Sequence, residues 1–117
     1  MNLTYTPHAL SSEQLQALSQ ELKQALSALY GHRLDRLILY GSYARGDFHA
    51  ESDVDYLVVL RDEPVQEGNE VWVMADNLSY LSDKYDVLVL VKPTSVVKYA
   101  HSNLFFYEEV RREGIDV

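Results

Sequence analysis

The amino-acid sequence predicts an α/β fold of two layers, in which a small mixed β-sheet of about three strands packs against helices. Short apolar, β-prone runs alternate with segments of helical periodicity, in the order helix, strand, short helical turn, strand, helix, strand, helix. The link between the first two strands, residues 41–53, is short for a parallel crossover. We therefore expect strands of both directions in the sheet.

The first predicted helix starts after Ser11 or Ser12, either of which can cap it. Gln14 follows Ser11 at the spacing of a capping box. Leucines at helical spacing form one apolar stripe along it: Leu15, Leu18, Leu22, Leu26 and Leu29. Gly31 is suited to end this helix in a left-handed conformation.

The remaining elements follow from the same two periodicities. Residues 36–40 and 54–60 predict two buried strands, and residues 86–91 predict a third that stops at Pro93. A second amphipathic helix is indicated by apolar residues at helical spacing, namely Val71, Met74, Leu78 and Leu81. A last helix is expected from about residue 102 to residue 113, with Gly114 just past its end.

The length and charge of the chain limit the classes of protein to which it can belong. With 117 residues it has room for one domain, so we expect a single domain over 1–117 with an irregular lead-in over 1–10. The net charge of −8 argues against direct binding of nucleic acid, which needs clustered cations. It is compatible with a nucleotide bound through metal, since the metal supplies positive charge.

The compartment is predicted from what the sequence lacks. It has no cysteine, so neither a disulfide framework nor a cysteine-ligated zinc site is expected. Its first residues show no basic start followed by an apolar run, and no apolar stretch approaches the ~20 residues that span a bilayer. We expect a cytoplasmic protein that does not interact with a membrane.

Two carboxylates mark the start of the second strand. Asp53 and Asp55 are two positions apart, so their side chains lie on the same face, about 7 Å from each other. Mg²⁺ is usually held by one or two carboxylates together with substrate phosphates, which makes this pair a candidate site for phosphoryl or nucleotidyl transfer. The alternative is an acidic loop that runs into a strand with both carboxylates solvated.

A Gly-Ser pair follows the first strand. Gly41 permits close approach of the backbone to an anion, and the amides and hydroxyl that follow, beginning at Ser42, can face phosphate oxygens. A tight turn capped by serine is the alternative. The segment has neither a Walker sequence nor the G-x-G-x-x-G spacing of dinucleotide sites.

A third acid, Asp86, precedes the third apolar run. If the second and third strands are parallel neighbours, this carboxylate converges with the first two and can accept a proton or bind metal. Asp83 is a rival for the role, and a strand-end cap is the other interpretation of Asp86.

Together these features resemble the DNA polymerase β-like nucleotidyltransferase superfamily: a Gly-Ser pair, then Asp-x-Asp, then an Asp at a later strand. The stretch LYGSYARGDFHAESDVDYLVVL resembles in particular its small stand-alone branch, the minimal nucleotidyltransferases (MNT). The resemblance extends over roughly residues 34–114. It implies the nucleotidyltransferase fold.

The resemblance also implies roles for individual residues. Gly41 and Ser42 would hold the triphosphate of an incoming ATP. Asp53 and Asp55 would bind two Mg²⁺ ions. Asp86 would complete the carboxylate triad and activate the acceptor hydroxyl.

Two further positions compare with the branch's pattern. Arg45 falls on the arginine of GSxARG, where it would position phosphate or stabilise the loop; a surface ion pair with Asp47 or another acid is the alternative. Tyr56 departs from the leucine common in the family, which a strand should tolerate.

The function implied by the resemblance is that of the antitoxin in a HEPN/MNT toxin–antitoxin pair. Such a protein transfers AMP from ATP to a tyrosine hydroxyl of the HEPN ribonuclease toxin and inactivates it. Because 117 residues leave no room for an acceptor-binding domain, we expect a partner or a second subunit to supply that surface. Two alternatives stay open: a non-catalytic antitoxin that neutralises its partner by association, and nucleotidylation of a small molecule.

Overall fold

A computed structural model describes residues 6–117, which form five α-helices, one 3₁₀ turn (Gly31–Arg33) and four strands. The elements in chain order are α1 (Ser12–Tyr30), β1 (Leu34–Tyr40), α2 (Ser42–Arg45), β2 (Val54–Leu60), α3 (Glu67–Tyr85), β3 (Val89–Ser95), α4 (Val96–His101), α5 (Phe105–Glu113) and β4 (Ile115–Asp116). Residues 6–10 of the predicted lead-in have no regular secondary structure, and residues 1–5 lie outside the described part.

The four strands form one mixed sheet in the order β3-β2-β1-β4. β1 is antiparallel to both β2 and β4, whereas β2 and β3 are parallel neighbours. The predicted fold class and the mixed sheet are confirmed. The fourth strand is an addition to the predicted three, and with two residues it is too short to give a sequence signal.

Each face of the sheet has its own apolar cluster. α1 and α3 cover one face, where Tyr56 and its strand neighbours meet leucines of α1 such as Leu22. On the other face α4 and α5 pack over Ile38, Leu57 and Val59. The second face also carries Asp55, because side chains alternate along β2.

The start of α1 has the predicted capping box. The Gln14 amide donates to the Ser11 hydroxyl at 3.1 Å, and the Ser11 amide donates to the Gln14 side chain at 2.9 Å. Most of the predicted leucine stripe is buried or half-buried, but Leu29 is exposed. Gly31 ends the helix as predicted, but with φ +56° and ψ −131° it does not adopt the left-handed helical conformation that was expected. Among residues 6–117, no helix is both long and apolar enough to cross a membrane.

The C-terminal half differs from the prediction in three places. β3 begins at Val89 rather than residue 86, and it continues through Pro93. Proline is tolerated there because β3 is an edge strand, with one side free of ladder hydrogen bonds. α4 was not predicted, and α5 begins at Phe105, three residues after the expected start.

Candidate active site

The turn after β1 is built on Gly41, which has φ +78°. The amides of Ala44 and Arg45 donate to the Gly41 carbonyl at 3.1 and 3.0 Å and so start α2. The Gly46 amide donates to the Ser42 carbonyl at 2.8 Å and ends it. The sequence thus folds locally as predicted, with Gly-Ser opening a short helix at the end of a strand.

The segment between α2 and β2 is held in place by a buried aromatic residue. Tyr43 stacks on Phe48 with ring centroids 4.4 Å apart, and its hydroxyl accepts from the Leu10 amide at 3.0 Å. Further along, the His49 amide donates to the Ser52 hydroxyl at 2.9 Å, and the Ser52 amide donates back to the His49 carbonyl at 3.0 Å. These contacts fix the approach to β2 and hence the position of its acids.

Asp55 lies against Gly41. A Cβ atom added to Gly41 would be 2.6 Å from Oδ2 of Asp55, closer than such atoms can approach. Asp55 is opposite Tyr40 in the antiparallel register of β1 and β2, so these two side chains share a face. The Gly-Ser turn and the Asp-x-Asp strand therefore meet at one point, as the sequence predicted.

The electrostatic environment of Asp55 opposes its ionisation. Burial raises the pKa of this carboxyl above its ordinary value of 3.8, and the charge of Asp53 raises it further, while Arg45 acts in the opposite direction. Burial, together with the charge of Asp55, also raises the pKa of Tyr40 to about 12. A cation between the two aspartates would relieve the repulsion.

Asp86 is placed differently from the expectation. It ends α3 in the left-handed conformation, with φ 52° and ψ 49°, and precedes β3 instead of beginning it. Asp86 and Asp53 line a cleft of about 350 Å³ next to the one that holds Asp55. Asp83 is exposed on α3 and lines neither cleft. In the described residues, no three Asp, Glu or His side chains are grouped to hold one metal ion.

The two aspartates at β2 nevertheless suit a divalent cation. Mg²⁺ is commonly bound by one or two carboxylates, with water and substrate phosphates as its other ligands. Asp53 and Asp55 are such a pair, and their mutual repulsion is what a bound cation would remove.

Arg45 forms two ion pairs. Its Nε lies 3.2 Å from Oδ2 of Asp47, and its Nη1 lies 3.2 Å from Oε1 of Glu113 in α5. The predicted alternative of an ion pair with Asp47 is thus confirmed. Arg45 also lines the same cleft as Gly41, so a ligand there can reach its guanidinium.

That cleft has a volume of about 530 Å³ and two chemically different ends. One end is polar and contains Gly41, Ser42, Arg45 and Asp55, together with Glu113 of α5, which pairs with Arg45. α5 forms the rest of the wall with Phe105, Phe106, Glu109 and Val110, and Phe105 lies at the opposite end of the helix from Glu113, about 12 Å along its axis. The volume is in the range of about 300–1,000 Å³ usual for small-molecule sites.

Sequence reasoning missed Tyr40 and the α5 residues of this cleft. The periodicity of α5 predicts a helix but not the strand on which it packs. The two consecutive phenylalanines at its start are the one local signal that the sequence offers.

Comparison with known proteins gives this site a family context. The family model described as "Nucleotidyltransferase domain" matches residues 19–115. A Methanocaldococcus jannaschii protein named "Putative protein adenylyltransferase" is 34% identical over 99 residues, 84% of this chain and 93% of that protein. A second protein of the same name and organism is 50% identical over 40 residues, 34% of this chain and 40% of that protein.

Solved structures show the same fold. A chain from a crystal structure described as a toxin–antitoxin with AMP-PNP matches with a TM-score of 0.57 and 18% identity, over 92% of this chain and 72% of that chain. A chain from a complex of tri-AMPylated Shewanella oneidensis HEPN toxin with MNT antitoxin matches with a TM-score of 0.50 and 16% identity, over 88% of this chain and 70% of that chain.

Proposed function

The chain belongs to the nucleotidyltransferase domain family and is a nucleotidyltransferase, and we propose that it transfers AMP from ATP to a tyrosine hydroxyl of a partner protein. The partner we propose is a HEPN ribonuclease toxin, which this chain, as its antitoxin, inactivates. The observation that carries the proposal is the contact of Gly41 with Asp55, which joins the Gly-Ser turn to the acidic strand in a single cleft.

The donor nucleotide is assigned to the cleft of about 530 Å³. Its triphosphate would lie at the polar end, against Gly41 and Ser42 and within reach of Arg45. The lining also contains Asp55, Glu109 and Glu113, so carboxylates outnumber the one arginine there. An anionic triphosphate needs added positive charge in such surroundings, which supports binding of ATP as its magnesium complex.

Asp53 and Asp55 would hold Mg²⁺, with two ions proposed. A metal ion held by these residues would supply positive charge to the phosphate oxygens and to the leaving pyrophosphate. The acceptor oxygen forms a bond to the α-phosphorus as the bond from that phosphorus to the bridging oxygen of pyrophosphate breaks. We assign Asp86 as acceptor of the hydroxyl proton, from its place in the cleft that it shares with Asp53.

The acceptor side of the site is the neighbouring strand β3. Leu90 is opposite Asp55 in the parallel register, and Leu88 precedes it on the same face. Both leucines are exposed, at 41% and 52% of their surface. Apolar surface next to the two aspartates supports a protein as acceptor, because a protein can cover it on docking.

The choice of partner is supported by the relatives. Two have names that specify protein adenylylation, and two solved neighbours come from toxin–antitoxin structures, one with AMP-PNP and one with an AMPylated HEPN toxin. The net charge of −8 is compatible with docking on a basic, RNA-binding partner.

A second candidate function is neutralisation by association alone. The position of Asp86 at the end of α3, outside β3, favours it, because the third carboxylate does not extend along the strand next to Asp55. The exposed surface of Leu88 and Leu90 would then bind the partner, and no AMP would be transferred.

Labelling separates the two functions. The purified chain, ATP labelled at the α-phosphate, Mg²⁺ and the product of the neighbouring gene are expected to give a labelled partner. Asp53→Asn and Asp55→Asn should abolish the label, and Asp76→Asn, an exposed acid on α3, should leave it unchanged. If the wild-type chain leaves the partner unlabelled, transfer to that protein is contradicted. Label found on a small-molecule acceptor would instead show nucleotidylation of a small molecule.

A cell assay gives an independent result. If the chemistry is required, cells that produce the toxin survive with the wild-type chain and die with the Asp53→Asn, Asp55→Asn double variant. Survival with the double variant, at equal abundance of the two proteins, supports neutralisation by association instead.

A further inference from the structure

Phe105, the first residue of α5, is exposed over 74% of its surface at the rim of the large cleft. Its neighbour Phe106 is partly buried, edge-on to Tyr40 with centroids 5.3 Å apart and to Tyr107 at 5.1 Å. Aromatic rings thus form one wall of the cleft, and the outermost presents its surface to solvent. An exposed ring on a wall of rings is a surface on which a ligand can bind.

The helix that carries Phe105 is fixed to the rest of the domain. The hydroxyls of Tyr107 and Thr94 hydrogen-bond at 2.8 Å in the interior. Arg111 donates to the carbonyls of Tyr99 at 2.7 Å and Ser102 at 2.8 Å, which fixes the segment that leads into α5. The backbone of Phe105 is therefore held before any ligand arrives, which reduces the entropy lost on binding.

The two ends of the cleft match the two ends of a nucleotide. Gly41, Ser42 and Arg45 are suited to phosphate, and Glu113, the last residue of α5, pairs with Arg45 there. Phe105, at the opposite end of α5 and about 12 Å along the helix from Glu113, presents an exposed apolar ring. The geometry points to Phe105 as the residue on which the nucleobase of the donor stacks. This inference rests on the proposed function, which supplies the nucleotide but assigns no residue to its base.

A docking surface for the partner is the rival explanation. Leu104 and Val97 are also exposed, at 65% and 54% of their surface, and Leu104 is adjacent to Phe105 in the chain. Phe105 differs from both because it lines the same cleft as Gly41 and Asp55, whereas Leu104 and Val97 do not. A nucleobase is thus favoured as the group that covers its ring.

The test compares ligands with and without a base. Binding of a non-hydrolysable ATP analogue and of tripolyphosphate, both with Mg²⁺, is measured by calorimetry for the full chain. Phe105→Leu keeps an apolar side chain without a ring, Phe105→Trp keeps a ring, and Leu104→Ala is the matched control on the adjacent exposed residue. Thermal unfolding confirms that each variant is folded.

Phe105→Leu is expected to bind the ATP analogue about tenfold or more weakly, since stacking of a base on an aromatic side chain is lost. It should bind tripolyphosphate as the wild type does. Phe105→Trp should retain the affinity for the analogue, and Leu104→Ala should bind both ligands with the affinity of the wild type.

Two results overturn the inference: an unchanged affinity of Phe105→Leu for the analogue, or an equal loss of affinity for both ligands. Binding of the partner protein to Phe105→Leu is measured as well, and it distinguishes the cases in which nucleotide binding is unchanged. Loss of partner binding with unchanged nucleotide binding would identify the rim as a docking surface. Failure of the wild type to bind the analogue is a different result, because it contradicts the proposed function itself.

Discussion

Gly41, in the turn directly after β1, and Asp55, in the neighbouring strand β2, are packed so closely that the Asp55 carboxylate occupies the space of a side chain at position 41. A Cβ there would be 2.6 Å from Oδ2 of Asp55, and the backbone of Gly41 has φ +78°. Two independent requirements, one of space and one of conformation, thus demand glycine. The Gly-Ser turn and the acidic strand form one unit for this reason.

Gly41→Ala should therefore cost more activity than a change that introduces backbone strain alone. A side chain at Gly46, which has φ +89° and ψ 4°, costs about 1–2 kcal/mol. Gly41 has φ +78° and ψ −156°, a conformation essentially restricted to glycine, so the strain is greater there, and a side chain also displaces the carboxylate of Asp55. Gly46→Ala is the matched control, because Gly46 has φ +89° with nothing within 4 Å of an added Cβ. We expect Gly41→Ala to lose more stability than Gly46→Ala and, at a temperature where thermal unfolding shows both variants folded, to lose much more nucleotide transfer. Equal transfer rates in the two variants would contradict the role of this contact.

Asp55→Asn should stabilise the metal-free protein at neutral pH. Because the pKa of Asp55 is raised in the folded state, the folded protein binds this proton more tightly than the unfolded chain. Stability is therefore lost as pH rises from the ordinary value of 3.8 through the raised pKa, and the loss persists at pH 7. Asparagine has no such loss. Urea unfolding without Mg²⁺ should give a higher free energy of unfolding for Asp55→Asn than for the wild type at pH 7 and no such difference at pH 3.

Mg²⁺ should stabilise the wild type and leave Asp55→Asn unchanged, since a ligand that binds only the folded state raises its stability. The comparison is made by thermal unfolding with and without Mg²⁺, with Asp76→Asn as the control that responds as the wild type does. The measurement is repeated with nucleotide present. If the unfolding temperature of the wild type does not change on addition of Mg²⁺ even with nucleotide, the metal assignment is contradicted.

Asp86→Asn tests the proposed proton acceptor without disturbing the backbone. Asparagine tolerates the left-handed conformation that Asp86 adopts at the end of α3, so the helix end should be preserved. We expect a transfer rate lower by roughly a hundredfold, in line with the loss of a general base, with little change in nucleotide affinity. Asp83 is an exposed acid three positions earlier on α3, and Asp83→Asn should leave the rate near that of the wild type. The opposite ranking would transfer the role to Asp83.

The buried pair Ser19–Tyr56 should affect stability and not activity. Their hydroxyls hydrogen-bond at 2.8 Å on the sheet face opposite to Asp55. Ser19→Ala leaves the Tyr56 hydroxyl buried without this partner, which costs about 1–3 kcal/mol. The double variant Ser19→Ala, Tyr56→Phe removes both groups and should recover much of that loss. Urea unfolding measures the recovery. If the double variant loses the sum of the two single-variant losses in free energy of unfolding, the unpaired hydroxyl is not the cause of the Ser19→Ala loss.

The elements that the sequence predicted well are those whose signal is local. β2 has the predicted bounds, and the capping box at Ser11 forms as predicted, because alternation and capping depend on residues a few positions apart. Tyr56 was expected to be tolerated, and it is, since Ser19 supplies a partner for its hydroxyl. Pro93 was misinterpreted because its effect depends on whether the strand is central or at an edge, which is a property of the whole sheet.

By itself the sequence determined the Gly-Ser turn, the acidic strand, the mixed sheet and the family to which the chain belongs. Short-range sterics and side-chain periodicity carry that information along a continuous stretch of chain. Only the tertiary structure decided that α5 brings Phe105 and Glu113 to the site, and that Asp86 ends a helix instead of extending a strand. Those outcomes depend on how distant apolar surfaces fit together, and no local pattern encodes that fit.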